Sequence, residues 1–266
     1  PGSEIVLTIL REGEEKPFNL PVVRAVITVK NIKAETIEPG FMYIRISNFQ
    51  IHTVDDMRKS LKKLKNENTD NLKGLVLDLR NNPGGLLNAA VGVSDLFLNN
   101  GLIVYTEGRI KDSKLKFTAK PTEVFKNIPI IVLVNGGSAS ASEIVAGALQ
   151  DHKRAIIMGE RTFGKGSVQT ILPMSDETAL KLTTARYFTP SGRSIQASGI
   201  EPDMIVKNIQ FNVTNSNDMD NGLIKEADLS GHLDNEIAEN NIDIDKKAES
   251  NSSLVENDYQ LYEAIN

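Results

Sequence analysis

The sequence of 266 residues contains no cysteine, which excludes disulfide bonds, thiol catalysis and cysteine-ligated zinc. Its only three histidines, His52, His152 and His232, lack the spacing of a metal site. A net charge of −5 provides no basic field, so nucleic acid is not an expected partner. No apolar run reaches the roughly 18 residues that span a bilayer. Hydroxyl, amine and carboxylate groups therefore remain as the candidate chemistry.

The chain divides by composition into three parts. Residues 4–10 and 18–29 have the composition of two strands, a pair too small to be stable alone. The first residue is Pro1 and no signal-type segment follows, so we expect a piece of a longer protein. Residues 207–266 contain 13 Asp and Glu against 4 Lys, which predicts a disordered acidic linker. A short helix is predicted within residues 254–265.

Between these ends, a buried-type strand, a glycine turn and a helix follow one another twice. Residues 72–79 precede one such turn, and residues 128–134 precede the other. This order predicts an α/β fold with a mostly parallel sheet. Ligands of such sheets lie beyond the carboxyl ends of the strands, where both glycine turns are expected.

The second turn carries the sequence Ser-Ala-Ser-Ala-Ser-Glu. Ser140 stands where the strand turns into a helix, and the N–H of Ala141 could donate to an oxyanion there. Ser140 and Glu143 also match the S-x-x-E capping box, a purely structural alternative. Ser138 and Ser142 are rival candidates for either role.

A lysine follows in a glycine-rich segment. The run from Gly159 to Lys165 matches G-x-x-x-x-G-K, but Gly166 replaces the Ser or Thr of a phosphate loop, and strand-type residues follow. Read as a strand, the segment places Lys165, Ser167 and Gln169 on one face. Burial would favour an uncharged amine that acts as a base, with Gln169 holding it. The alternative is an exposed lysine in a hairpin loop.

The first turn, Asn82-Pro83-Gly84-Gly85, offers a second backbone donor for an oxyanion. An ordinary tight turn is the alternative. Asp78 and Arg80, just before it, are expected to be buried or to be ion-pair residues of the loop.

Seven ordered segments resemble one family, the carboxyl-terminal processing proteases, also called tail-specific proteases. They are residues 40–49 (GFMYIRISNF), 77–85 (LDLRNNPGG), 137–144 (GSASASEI), 146–151 (AGALQD), 159–169 (GERTFGKGSVQ), 185–192 (ARYFTPSG) and 199–203 (GIEPD). The resemblance implies Ser140 as nucleophile, Lys165 as base and Gln169 as its support. It implies oxyanion amides from Ala141 and the Gly84–Gly85 turn, with Gly85 favoured.

The same resemblance implies a ClpP/crotonase-like catalytic core over residues 31–206, preceded by a remnant of a PDZ domain at residues 1–30. The implied activity is a serine endopeptidase that cleaves proteins near or from their carboxyl termini, without metal or cofactor. Its partners would be the carboxyl-terminal segments of proteins or peptides, and a homo-oligomer and adaptor or envelope proteins are allowed. The implied location is the bacterial periplasm or cell envelope.

Two other classes of function are compatible with such a core. One is an inactive or non-catalytic protein that binds a ligand or peptide. The other is a crotonase-type acyl-CoA enzyme. The set of Ser140, Lys165 and Gln169 weighs against the first, and the protease motifs weigh against the second.

Overall fold

The computed structural model describes residues 1–14, 16–26, 30–68, 72–109, 113–121, 125, 128–175, 178–208, 225–229, 233 and 258–266. The chain forms two compact units, Pro1–Lys30 and Asn31–Asn266. The first unit is an antiparallel pair of strands, β1 (Glu4–Ile9) and β2 (Phe18–Val23). Its origin in a PDZ domain remains a prediction, and residues 27–29 of the second predicted strand lie outside the described residues.

The second unit contains the remaining elements. Its strands are β3 (Ile32–Glu38), β4 (Phe41–Ile46), β5 (Gly74–Asp78), β6 (Leu102–Gly108), β7 (Lys116–Thr118), β8 (Ile130–Val134), β9 (Ile156–Gly159), β10 (Ser167–Pro173), β11 (Ala179–Phe188) and β12 (Met204–Ile205). Its helices are α1 (Thr53–Glu67), α2 (Leu87–Asp95), α3 (Ala141–Asp151) and α4 (Tyr259–Ile265), with a 3₁₀ turn at Glu226–Asp228.

A six-stranded sheet with the order β12-β9-β8-β5-β4-β3 forms the centre of this unit. Only the pair β3–β4 is antiparallel, and all other neighbours in this sheet are parallel. The predicted α/β fold with a mostly parallel sheet is therefore confirmed. Within the described residues, no helix has both the length and the apolar character that crossing a bilayer requires.

Both faces of the sheet are covered, which explains the nearly continuous apolar sequence of its central strands. One face packs against α1, α2 and α3 through a large cluster of buried side chains that includes Ile44, Leu77 and Val132. The opposite face is covered by α4, which contacts β5, β8 and β9. Every residue of β5 is buried, so its side chains contribute to the packing on both faces of the sheet.

A second sheet, antiparallel and with the order β10-β11-β6-β7, lies in the same unit. Of the four strands in this sheet, only β10 was predicted from the sequence. The first sheet places the carboxyl ends of β5 and β8 side by side, with Asp78 opposite Leu133. The loops that follow these two strands are therefore adjacent, as the positions of the glycine turns suggested.

The central strand gives a test of the fold. Leu77 is 0% exposed, so Leu77→Ala should lower the free energy of unfolding by about 2–5 kcal/mol through lost burial and the cavity left behind. Ile51→Ala removes a side chain that is 78% exposed and should change it by no more than about 0.5 kcal/mol. Urea unfolding followed by circular dichroism measures both. Equal small effects would contradict the placement of β5.

Candidate active site

Ser140 occupies a strained position between β8 and α3. Its φ of 55° and ψ of −109° are unusual for a residue with a side chain, and such strain concentrates at functional sites. Ser140 is half-buried, whereas Ala139 and Ala141 on either side are buried. The turn thus leaves the serine more accessible than its neighbours.

The two rival serines are already used to fix this turn. The hydroxyl of Ser138 donates to the carbonyl oxygen of Leu79 at 2.8 Å, and the hydroxyl of Ser142 donates to that of Asn82 at 2.9 Å. Both serines are 0% exposed. Their hydrogen bonds join the serine turn (residues 135–142) to the glycine loop (residues 79–86).

The glycine loop is pressed directly against Ser140. A Cβ atom on Gly84 would lie 2.9 Å from the Cβ of Ser140 and 3.0 Å from the nitrogen of Ala141, so only glycine fits. The φ of 103° at Gly84 also favours glycine. The N–H of Gly84 donates to the side-chain oxygen of Asn82 at 2.9 Å, which removes Gly84 as an oxyanion donor. The neighbouring Gly85 is exposed.

Two backbone donors remain beside Ser140. Neither the N–H of Ala141 nor that of Gly85 has a hydrogen-bond acceptor among the described residues. A Cβ on Gly85 would lie 2.1 Å from the carbonyl oxygen of Phe49, so this backbone also requires glycine. Of the two glycines that the sequence offered, Gly85 is therefore the one with an unused amide.

The lysine segment (residues 159–169) differs from the strand that was predicted for it. Lys165 is half-buried and precedes β10, which begins only at Ser167. The backbone leaves strand geometry there because the N–H of Lys165 donates to Glu143 at 3.0 Å and that of Gly166 donates to the side chain of Gln196 at 3.1 Å. A register shift between Val168 and Gln169 follows, and Ser167 is buried while Gln169 is exposed. The prediction that Lys165, Ser167 and Gln169 share one strand face is wrong.

Glu143 joins the serine turn to the lysine segment. Its Oε2 accepts hydrogen bonds from the N–H of Ser140 at 2.6 Å and the N–H of Lys165 at 3.0 Å. Its Oε1 accepts from the hydroxyl of Thr162 at 2.6 Å and the N–H of Gly164 at 2.7 Å. The sequence indicated Glu143 only as half of a capping box, and no local pattern indicated its bonds to residues 162–165.

The environment of this carboxylate is unusual. Glu143 is 0% exposed, and burial raises the pKa of its carboxyl to about 7, although the four donors oppose that rise. The N–H of Phe163 adds a further backbone bond to Ser138, at 3.0 Å. The two segments are thus held together by buried polar contacts.

The side chains of Ser140, Lys165 and Gln169 are less closely joined than the backbone around them. Within the described part of the chain, no hydrogen bond links the hydroxyl of Ser140 to the amine of Lys165, or Lys165 to Gln169. Catalytic hydrogen bonds are often long in a free enzyme and shorten when substrate binds. Among the same residues no group of three or more His, Asp or Glu could hold a metal ion.

Comparisons with known proteins show the family of the chain. The model of the family described as peptidase family S41 matches residues 40–206. A carboxy-terminal-processing protease of Bartonella bacilliformis is 49% identical over 233 residues, which are 87% of this chain and 53% of that protein. A carboxyl-terminal-processing protease of Synechocystis sp. is 40% identical over 210 residues, 77% of this chain and 48% of that protein. The chain thus spans about half the length of these relatives.

Solved structures give the same result. The photosystem II D1 C-terminal processing protease is 32% identical, with a TM-score of 0.60 over 77% of this chain and 56% of its own. A lipoprotein from Streptococcus agalactiae, 21% identical, shares the fold with a TM-score of 0.54 over 67% of this chain and 66% of its own. The fold and the matches place the chain in the class of peptidase domains. Within that class, the chain belongs to peptidase family S41.

The raised pKa of Glu143 predicts how stability depends on pH. The ordinary value of 4.5 applies to the unfolded chain, so between about pH 4.5 and about pH 7 the folded state binds more protons than the unfolded state. The contribution of Glu143 to the free energy of unfolding should therefore fall by a few kcal/mol as the pH rises through this interval. Glu143→Gln cannot titrate and should lose that slope.

Urea unfolding at pH 5 and at pH 7.5 measures this difference, with Glu67→Gln as a matched control on the exposed side of α1. The control should keep the pH slope of the parent protein. An unchanged slope in Glu143→Gln would show that the carboxyl of Glu143 does not titrate in this range.

Proposed function

We propose that this chain is the catalytic part of a serine endopeptidase that cleaves proteins near or from their carboxyl termini through a Ser140–Lys165 dyad. The observation that carries the proposal is the buried carboxylate of Glu143, which accepts hydrogen bonds from the backbone of both dyad residues. It fixes a strained, accessible serine beside a half-buried lysine. The amides of Ala141 and Gly85 supply donors on the same side of the sheet.

The proposed reaction uses Lys165 as its base. Its amine takes the proton of the Ser140 hydroxyl while the serine oxygen bonds to the carbon of the scissile peptide. The carbonyl oxygen becomes an oxyanion, to which Ala141 and Gly85 donate hydrogen bonds. Gln169 supports the amine of Lys165 once substrate has closed the distance between them.

The second half of the cycle restores the enzyme. The lysinium of Lys165 gives its proton to the leaving nitrogen as the carbon–nitrogen bond breaks, which leaves an acyl ester on Ser140. Lys165 then takes a proton from water, whose oxygen attacks the ester carbon. As the bond between that carbon and the Ser140 oxygen breaks, Lys165 returns the proton to the serine oxygen, and the second product leaves as a carboxylic acid. Each proton taken by Lys165 is returned, so the cycle needs no other proton donor or acceptor.

The proposed substrates are carboxyl-terminal segments of proteins, and the proposed location is the bacterial periplasm or cell envelope. Support comes from the names of the bacterial relatives, which describe processing of a carboxy terminus. A homo-oligomer and adaptor or envelope partners belong to the same proposal.

Substitution of the dyad tests the mechanism. Ser140→Ala should lower kcat by about 10⁴-fold or more because it removes the nucleophile. Lys165→Ala should lower kcat by about 10²–10⁴-fold because it removes the base. Neither change should alter the fold measured by circular dichroism. Products released from a disordered test protein, identified by mass spectrometry, give both the rate and the cleavage sites.

Ser60→Ala and Lys62→Ala, on α1 and away from the site, are the matched controls and should cleave at the parent rate. Cleavage by a clean Ser140→Ala preparation at the parent rate would remove the dyad from the mechanism. Binding of the test protein without cleavage by the parent would instead favour the non-catalytic binding alternative.

A further inference from the structure

Arg80 lies at the start of the glycine loop, and every N–H group of its guanidinium takes part in a hydrogen bond. It makes five hydrogen bonds, as many as its N–H groups. Two go to Asp78, at 3.0 Å from Nε and 2.8 Å from Nη2, which confirms the expected ion pair. The other three go to the far end of the chain: to both oxygens of Asp258, at 2.7 Å and 2.6 Å, and to the side chain of Gln260 at 3.0 Å.

The contact between Arg80 and Asp258 is partly shielded from water, since the side chain of Asp258 is 29% exposed. Arg80 is 8% exposed and Asp78 is 0% exposed, so this charge cluster lies mostly out of water. Burial acts to raise the pKa of Asp258, but the hydrogen bonds and charge of Arg80 outweigh it and hold that pKa below its ordinary value. Asp258 is therefore ionised at neutral pH. The pair has the bidentate geometry in which arginine binds carboxylates most specifically.

The terminal segment (residues 258–266) is anchored independently of this ion pair. Leu261, Ala264 and Ile265 pack in the apolar cluster on the second face of the central sheet. Gln260 is 1% exposed and donates to the carbonyl oxygen of Val206 at 2.6 Å. Asp258 also accepts from the N–H of Leu261 at 3.0 Å and so caps α4. These contacts hold the terminal segment in place, so that Asp258 faces Arg80.

Arg80 in turn fixes the glycine loop. Its N–H donates to Asp78 at 2.9 Å, which sets the direction in which the backbone leaves β5. Two residues later Asn82 is 0% exposed, and its carbonyl oxygen accepts from the N–H of Ala139 at 3.0 Å. The side chain of Asn82 holds the N–H of Gly84, next to Gly85. A displacement of Arg80 would therefore reach the oxyanion donor and the serine turn.

We propose that Asp258 is a positioning residue for the peptidase reaction, and that its ion pair with Arg80 holds the glycine loop in the geometry that presents the Gly85 amide. The proposal rests on the proposed function for its effect on catalysis. It assigns the carboxyl-terminal segment a role in the site, where the sequence predicted only a short helix at the end of an acidic linker. Asp258 does not touch substrate and acts only through Arg80.

The test uses the full chain with Asp258→Asn, which keeps the size of the side chain but removes the charge that binds Arg80. We expect kcat to fall about tenfold with KM changed by less than about twofold, because the affected donor acts on the transition state. Asp258→Glu, which restores the carboxylate, should recover part of that loss. Glu263→Gln removes a carboxylate from the same helix without touching Arg80 and should behave like the parent.

Amide hydrogen exchange followed by mass spectrometry gives a readout that does not need activity. In Asp258→Asn, exchange should accelerate in peptides that contain residues 81–86 and 139–142 and stay unchanged in α1. Faster exchange confined to residues 258–266, with kcat at the parent value, would overturn the proposal and leave Asp258 as a helix cap only.

Failure of the proposed function looks different. A parent protein that neither cleaves the test protein nor reacts with a fluorophosphonate probe at Ser140 would contradict the peptidase proposal. The exchange experiment would still decide whether Asp258 holds the glycine loop.

Discussion

The carboxylate of Glu143 joins the serine turn to the lysine segment, two loops that follow the neighbouring strands β8 and β9. A buried carboxylate without donors would cost several kcal/mol, so the folded state requires every one of its four donors to be in place. Two of these donors are the backbone amides of Ser140 and Lys165. The hydrogen-bonding needs of a single buried side chain therefore fix the relative position of both residues of the proposed dyad.

Buried polar hydrogen bonds also fix the glycine loop. Arg80 has no unused donor, Asn82 is fully buried, and both lie between the end of β5 and Gly85. The parallel sheet brings the glycine loop and the serine turn together, because β5 and β8 end side by side. Buried polar networks then supply the precision, since they are satisfied in only one arrangement. In this view the apolar core sets where the site is, and Glu143 and Arg80 set its geometry.

The sequence predicted local features better than contacts between distant segments. Strand composition and glycine turns were enough for the mostly parallel sheet and for the placement of Ser140 at a strand-to-helix turn. The prediction from side-chain alternation was wrong at Lys165, because hydrogen bonds to Glu143 and Gln196 take the backbone out of strand geometry. The bonds of Glu143 to residues 162–165 and of Asp258 to Arg80 join residues far apart in sequence, which periodicity cannot indicate.

A crystal structure of the protein after reaction with a fluorophosphonate would show whether Ser140 and Lys165 act together. We expect the phosphorus on the oxygen of Ser140 and the phosphoryl oxygen within about 3.1 Å of the amides of Ala141 and Gly85. We also expect the amine of Lys165 within about 3.2 Å of the Ser140 oxygen, while Glu143 keeps its four donors. An adduct on another residue, or a Lys165 amine that stays beyond reach while those four bonds are intact, would contradict the proposed dyad.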